Sequence, residues 1–123
     1  PCNTTCKPVA GITGYRTVKA DEASLQTAVV QQPITVAVDA EQQQWQLYQG
    51  GILDFSCSVA LDHALLLVGY GEEDKPYWRL RNQWGATWGE SGYVRLVRGK
   101  NMCGIANEAA YPTGAHPVTP PQF

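Results

Sequence analysis

Charged residues are scarce in this chain, and the basic ones do not cluster. They make up 16% of the 123 residues, with 9 Lys and Arg against 11 Asp and Glu and a formal net charge of -2. Because a nucleic-acid-binding surface needs concentrated positive charge, this balance argues against a nucleic-acid partner.

Long apolar runs are also missing from the sequence. The longest one falls far below the roughly 20 residues that a membrane-spanning helix needs, so we predict no membrane span and no membrane partner. The sequence does not open on a charged and then apolar signal segment. We therefore expect the chain to begin after any targeting sequence.

The chain has enough apolar residues to fold, and it carries 4 cysteines. With 44% hydrophobic residues it can bury one modest core, as a single domain or as half of a larger one. Cysteines at this density are compatible with an oxidising compartment. Cys2 and Cys6 are spaced like half of a zinc site, but no second ligand pair follows, and His116 lies in a proline-rich tail. We predict no metal and no cofactor.

Local signals predict one helix and several strands. Asp21 is a candidate N-cap, and Leu25 and Val29 follow at helical spacing until Pro33 ends the helix. The β-branched run 34–38 predicts a buried strand. Further predictions are strands at 11–18 and 93–98, a short helix or turn at 41–48, an edge segment at 110–112, and a tail at 113–123 whose prolines keep it out of regular structure.

The stretch from 61 to 84 predicts an antiparallel hairpin. The apolar run 64–68 is expected to form a strand buried on both faces, and the run 77–84 alternates apolar with polar residues. Glycines and a proline surround the acidic turn that separates the two runs.

The register of this hairpin predicts which polar residues meet. If Tyr70 lies opposite Tyr77, then His63 faces the region from Asn82 to Trp84. Because strand side chains alternate, Asn82 and Trp84 share one face with apolar neighbours. A buried amide needs a hydrogen-bond partner, and His63 is the nearest candidate.

A histidine oriented by an asparagine is the base and orienter of a nucleophilic apparatus. Trp84 would cover their hydrogen bond, although an indole there also packs a hairpin without any catalysis. His63 and Asn82 can equally be a structural pair. Asp62 precedes the histidine, but adjacent strand residues point to opposite faces, so we interpret it as a rim residue.

Four ordered blocks, LDHALLLVGYG, PYWRLRNQWG, TWGESGYVRL and CGI, resemble the papain family of cysteine peptidases in its cathepsin-L-like, cruzipain-like branch. The resemblance runs from about Pro33 to Pro112 and corresponds to the C-terminal half of such an enzyme. It implies an α+β fold, with an antiparallel sheet or half-barrel and one or two short helices. We assign residues 1–112 to this β-rich domain and 113–123 to a tail or linker.

The resemblance also implies roles for individual residues. His63 is the catalytic base, Asn82 orients it, and Trp84 and Trp88 shield the site on its primed side. Cys57 is expected to pair with Cys103, which leaves Cys2 and Cys6 to pair together or with an absent N-terminal half. The resemblance further implies a lysosomal or secreted location.

A substrate pocket is implied by the same comparison. Its walls are Ala37, Leu61 and Ala64, Asp62 lies at its rim, and Glu108 lies at its base. Apolar walls favour Leu or Phe, and a carboxylate at the floor adds the option of Arg.

Two features depart from the family pattern. Gln83 stands where Ser is usual, and we expect its side chain to face outward at the mouth of the site. The nucleophile block, a Gln followed by a Cys at a helix start, does not occur in this sequence. Activity would therefore depend on a missing N-terminal half, and we predict that this chain alone is inactive.

Three functions stay open. The first is a papain-like endopeptidase that acts on peptide or protein substrates together with its N-terminal half. The second is a non-catalytic relative whose tryptophan-rich face binds a protein. The third, a serine hydrolase using Ser56 or Ser58, is the least favoured, because no G-x-S-x-G turn is present.

Overall fold

The computed structural model describes residues 1–118, and most of the ordered backbone is β-strand. Within these residues there are two α-helices and nine strands. In chain order they are β1 (Ala10–Gly11), β2 (Gly14–Thr17), α1 (Glu22–Gln31), β3 (Ile34–Val38), α2 (Gln43–Gln46), β4 (Ile52–Leu53), β5 (His63–Glu72), β6 (Pro76–Arg81), β7 (Tyr93–Val97), a 3₁₀ turn (Met102–Gly104), β8 (Ala109–Thr113) and β9 (His116–Pro117).

The strands of the described part form one large open sheet and a small ribbon. The large sheet has seven strands in the order β2-β8-β3-β5-β6-β7-β4, and the ribbon pairs β1 with β9. All neighbours in the large sheet are antiparallel except β4 and β7, which run parallel. The predicted α+β fold with a mixed, mainly antiparallel sheet is confirmed, and the sheet is not closed into a barrel.

Helix α1 forms as its sequence predicts. The Asp21 side chain accepts a hydrogen bond from the Ser24 N–H at 2.6 Å and so satisfies one of the free donors of the first turn. Leu25 and Val29 are buried on one side of the helix. The helix ends at Gln31, before Pro33.

The core lies on one face of the large sheet, around α1, α2 and the loop that carries the 3₁₀ turn. Its largest fully buried side chains include Trp45 from α2 and Trp78 from β6. The other large, fully buried side chains are Leu25, Ile34, Val36, Val38, Leu65, Leu67, Leu80, Val94, Leu96 and Ile105.

Strand β5 differs from the prediction that it is buried on both faces. Leu65 and Leu67 are buried, whereas Ala64 is exposed and Leu66 is half-buried. The strand therefore presents only one face to the core of this chain, and its second apolar face is covered only in part.

The predicted register of the hairpin is wrong at the turn and correct at the open end. Tyr70 pairs with Trp78 instead of Tyr77, but the register shifts by one residue between Leu67 and Gly69. This bulge places one extra residue in β5, so the next pairs continue as predicted toward His63.

Two predictions for the C-terminal region are wrong. Segment 110–112 is not at an edge, because β8 lies between β2 and β3. Pro112 is tolerated there because β3 pairs with only the first two residues of β8. In the tail, His116–Pro117 forms a strand with Ala10–Gly11 despite the proline. The rest of the predicted tail, residues 119–123, lies outside the described residues.

Candidate active site

His63 is the first residue of β5 and pairs with Val38 at the end of β3. Its ring nitrogen Nε2 lies 2.8 Å from the side-chain oxygen Oδ1 of Asn82. The Gln83 backbone N–H donates to the same Oδ1 at 2.8 Å, which requires that atom to be the amide oxygen. An amide oxygen only accepts, so Nε2 of His63 carries the proton in this bond and Nδ1 is left as the proton acceptor.

Asn82 is held in place by its backbone. It follows the last residue of β6, its side chain is 6% exposed, and its N–H donates to the Gly92 carbonyl at 3.0 Å. Gly92 has φ +92°, a conformation that glycine adopts without strain. Within the described residues the side-chain Nδ2 of Asn82 has no hydrogen-bond partner, so the amide is committed to His63 through its oxygen alone.

Two tryptophan side chains lie next to the His63–Asn82 pair. The Trp84 ring stacks on the His63 imidazole with ring centres 5.1 Å apart and an angle of 28°, and the edge of Trp88 meets Trp84 at 5.2 Å. Trp88 is itself anchored by a hydrogen bond from Nε1 to the Trp45 carbonyl at 2.9 Å. Trp84 does not lie on the buried face of β6 as predicted, because the strand ends at Arg81 and Trp84 is 40% exposed.

Gln83 is exposed, as expected, but its side chain also contacts the facing strand. Its side-chain Nε2 donates to the Ala64 carbonyl at 3.2 Å, across the open end of the hairpin. The family resemblance placed this residue at the mouth of the site, because it follows the orienting asparagine. The signal that could have found the contact is the register itself, which places Gln83 opposite the start of β5.

A carboxylate that the sequence prediction did not single out lies beside the site. Asp39 directly follows β3, is 1% exposed, and accepts hydrogen bonds from the Ser58 hydroxyl and from the Glu41 N–H. The Ser58 hydrogen bond is the main cause that lowers the pKa of the Asp39 carboxyl below its usual value. The sequence signal that could have identified Asp39 is its position directly after a predicted buried strand.

Asp62 turns away from the histidine that follows it. Its Oδ1 accepts a hydrogen bond from the Ala40 N–H at 2.8 Å, and its own N–H donates to the Val38 carbonyl at 3.0 Å. The carboxylates of Asp39, Glu41 and Asp62 lie within 4.8 Å of one another. Two of the three already accept hydrogen bonds from protein donors, which limits what they offer to a metal ion.

The residues predicted to form a substrate pocket come together in part. Ala37, Ala64 and Glu108 line one cavity of about 410 Å³. Ala37 pairs with Ala64 across the sheet and donates its N–H to the Glu108 carbonyl at 3.1 Å. Leu61 and Asp62 are not among the residues that line this cavity. The role of all five in substrate binding stays a prediction.

The predicted disulfide is present. Cys57 is bonded to Cys103, with 5.0 Å between their Cα atoms. Cys103 also accepts a hydrogen bond at its carbonyl from the Asp39 N–H at 2.9 Å, so the bridge ties the loop before β5 to the end of β3. Cys2 and Cys6 are exposed and form no disulfide within the described residues.

Among residues 1–118, no helix combines the length and the apolar character that a membrane crossing requires.

Comparison with known proteins assigns the class. Residues 1–113 match the family model described as papain family cysteine protease. The chain belongs to this family.

Individual relatives agree with this assignment. The chain is 48% identical over 120 residues to the oryzain beta chain of Oryza sativa subsp. japonica, and this match covers 91% of the chain and 26% of that protein. It is 46% identical over 118 residues to zingipain-2 of Zingiber officinale, covering 90% of the chain and 53% of that protein. The chain thus spans between about a quarter and a half of these relatives.

A solved structure shares the fold. The bromelain protease from Ananas comosus, determined in complex with the E64 inhibitor, superimposes with a TM-score of 0.80 at 44% identity. The match covers 84% of this chain and 51% of that one. The papain-like fold is therefore confirmed.

Proposed function

We propose that this chain is the C-terminal part of a papain-like cysteine endopeptidase and supplies its catalytic histidine and asparagine. One observation carries the proposal: His63 Nε2 and Asn82 Oδ1 form a hydrogen bond of 2.8 Å, and the Gln83 N–H orients the Asn82 amide. This arrangement leaves Nδ1 of His63 as the acceptor for a proton from a nucleophile.

The chemistry follows from that geometry. A cysteine of the N-terminal half transfers its proton to His63 Nδ1, and the thiolate attacks the carbonyl carbon of the scissile peptide bond. The imidazolium then donates its proton to the leaving amine. Asn82 keeps the ring oriented without adding a charge, and Trp84 shields the His63–Asn82 bond from water.

Cys57 and Ser58, both in the loop before β5, do not offer a nucleophile. Cys57 is engaged in a disulfide with Cys103. The Ser58 hydroxyl donates to the Asp39 carboxylate, whereas the nucleophile of a serine hydrolase donates to a histidine base. These contacts support a nucleophile from a separate N-terminal half and disfavour a serine hydrolase that uses Ser58.

The test is reconstitution. The chain alone should not hydrolyse a peptide substrate, whereas the chain refolded with an N-terminal half that carries the family's cysteine block should. His63→Ala should abolish this activity, and His116→Ala, at the other histidine of the chain, should leave it unchanged. Turnover by the chain alone that is lost in Cys57→Ala would contradict the proposal.

The second candidate function is a non-catalytic protein-binding domain. The observation that favours it is the exposure of Trp84, at 40% of its surface, beside the exposed face that begins β5. A reading of the coding transcript separates the two functions. A Gln-x-x-x-x-x-Cys block encoded upstream of Pro1 favours the peptidase, and a start codon at that point favours the binding domain.

We also propose a lysosomal or secreted location. The Cys57–Cys103 disulfide supports it, because such bonds persist in oxidising compartments. Localisation of a tagged full-length protein tests this directly, and a cytosolic signal with reduced thiols would contradict it.

A further inference from the structure

The backbone pairing of the central hairpin stops before it reaches the catalytic pair. The last paired residues of β5 and β6 are Leu66 and Arg81. His63 and Asn82 lie beyond this point, where no ladder hydrogen bond between the two strands fixes their separation. Continued by two residues, the same register places Ala64 opposite Gln83.

Gln83 crosses this gap with its side chain and orients Asn82 with its backbone. Its backbone N–H donates to Asn82 Oδ1 at 2.8 Å, and its side-chain Nε2 donates to the Ala64 carbonyl at 3.2 Å. The first hydrogen bond orients the Asn82 amide, and the second connects Gln83 to Ala64, the residue next to His63. The side chain thus takes the place of the missing ladder bond.

We propose that Gln83 is a positioning residue, whose side-chain bond to the Ala64 carbonyl holds the imidazole of His63 at bonding distance from Asn82. The inference rests on the proposed function for its catalytic consequence, but the positioning itself is a property of this chain. Gln83 touches neither substrate nor nucleophile in this scheme. Because its side chain is exposed, water competes for the bond, and its effect is limited.

Gln83→Met is the informative substitution, because Met is nearly as long and has no N–H to donate. Gln32→Met is the matched control. Gln32 Nε2 also donates to a backbone carbonyl at 3.2 Å, that of Pro112, at a distant place in the sheet. Both variants lose one bond of the same kind and length, so a general loss of stability should be similar in the two.

The first readout is the tautomer ratio of His63, taken from the ring nitrogen shifts in ¹⁵N NMR spectra of the chain. In Gln83→Met the ratio of the Nε2–H form to the Nδ1–H form should fall by about two- to tenfold, the range of one modest hydrogen bond. Gln32→Met should leave it unchanged. An equal ratio in both variants would overturn the inference, whatever the activity.

The second readout is kinetic and uses the chain reconstituted with its N-terminal half. Gln83→Met should lower kcat by about the same factor and change KM by less than about twofold, since orientation of the base acts on the chemical step. Equal kinetics for both variants in an active enzyme would overturn the inference and leave the proposed function intact. A tautomer ratio that changes in Gln83→Met while the assembly is inactive would support the inference and contradict the proposed function.

Discussion

The imidazole of His63 and the indole of Trp84 lie in a stacked arrangement, with ring centres 5.1 Å apart and planes inclined by 28°. Trp84 makes an edge-to-face contact with Trp88, and Trp88 donates a hydrogen bond to the Trp45 carbonyl. The indole beside the His63–Asn82 hydrogen bond is therefore anchored to the core through Trp88, although Trp84 itself is 40% exposed.

Trp84→Ala should expose this bond to water. We expect kcat/KM of the reconstituted enzyme to fall by about tenfold or more, because a hydrogen bond is weaker when water competes for its partners. Tyr70→Ala is a matched control: Tyr70 is 41% exposed and packs against Trp78 away from the site. A similar loss in both variants would indicate a general effect on packing.

The contact between Ser58 and Asp39 should make stability depend on pH. The hydroxyl lowers the pKa of the buried carboxyl in the folded state, so the ionised form stabilises the fold above the ordinary pKa of about 4. This contribution is lost as the pH falls through the lowered pKa. Ser58→Ala should therefore unfold at lower urea concentration at pH 7, and its difference from the original chain should shrink in acid.

Ser56→Ala is the control for this measurement, because Ser56 is exposed and two positions away. Urea unfolding of both variants between about pH 2 and pH 7, followed by circular dichroism, gives the comparison. If the two variants show the same pH dependence, Ser58 does not stabilise the Asp39 carboxylate.

The Cys57–Cys103 bridge should account for a large part of the stability of the chain. It joins residues 46 positions apart, and the chain-entropy relation gives about 4 kcal/mol for a loop of this length. We expect Cys57→Ser to lower the free energy of unfolding by about this amount. Cys2→Ser, at an exposed cysteine, should change it little.

Peptide mapping without reduction tests the pairing itself. The dominant linked peptide should contain Cys57 and Cys103. A dominant peptide that links Cys57 to Cys2 or to Cys6 would contradict the assignment. Mapping of the assembled enzyme also tests the prediction that Cys2 and Cys6 pair together or with the N-terminal half.

Local signals predicted helix α1 and the pairing of His63 with Asn82. The cap at Asp21 and the spacing of Leu25 and Val29 are short-range features, so they can be read without knowing the fold. The register at His63 was predicted correctly only at the open end, because a one-residue bulge compensates for the error at the turn. The residue pattern does not predict that bulge.

The features that were missed depend on contacts between distant segments. The inner position of β8 results from its pairing with β2, nearly 100 residues earlier in the chain. The hydrogen bond from Gln83 to the Ala64 carbonyl depends on the strand opposite, and the Asp39–Ser58 hydrogen bond depends on a loop that the disulfide holds. Composition and periodicity describe one segment at a time and do not contain this information.

Glu108 offers the last prediction, which concerns substrate preference. Its side chain is exposed, and it lines the same cavity as Ala37 and Ala64, while its backbone carbonyl is fixed by the Ala37 N–H at 3.1 Å. A carboxylate beside small apolar walls can accept a guanidinium in two parallel hydrogen bonds. With an aliphatic ligand it can remain in solvent and leave the walls to bind by buried area.

In the reconstituted enzyme, Glu108→Ala should lower kcat/KM by about tenfold or more for substrates with Arg two residues before the scissile bond. Substrates with Leu at that position should be nearly unaffected, because they lose no charged pair. Glu72→Ala removes an exposed carboxylate from the hairpin turn and is the control for net charge. Equal losses for Arg and Leu substrates in Glu108→Ala would show that Glu108 is not the floor of the pocket. A carboxylate at the floor forms a charged pair with Arg substrates only.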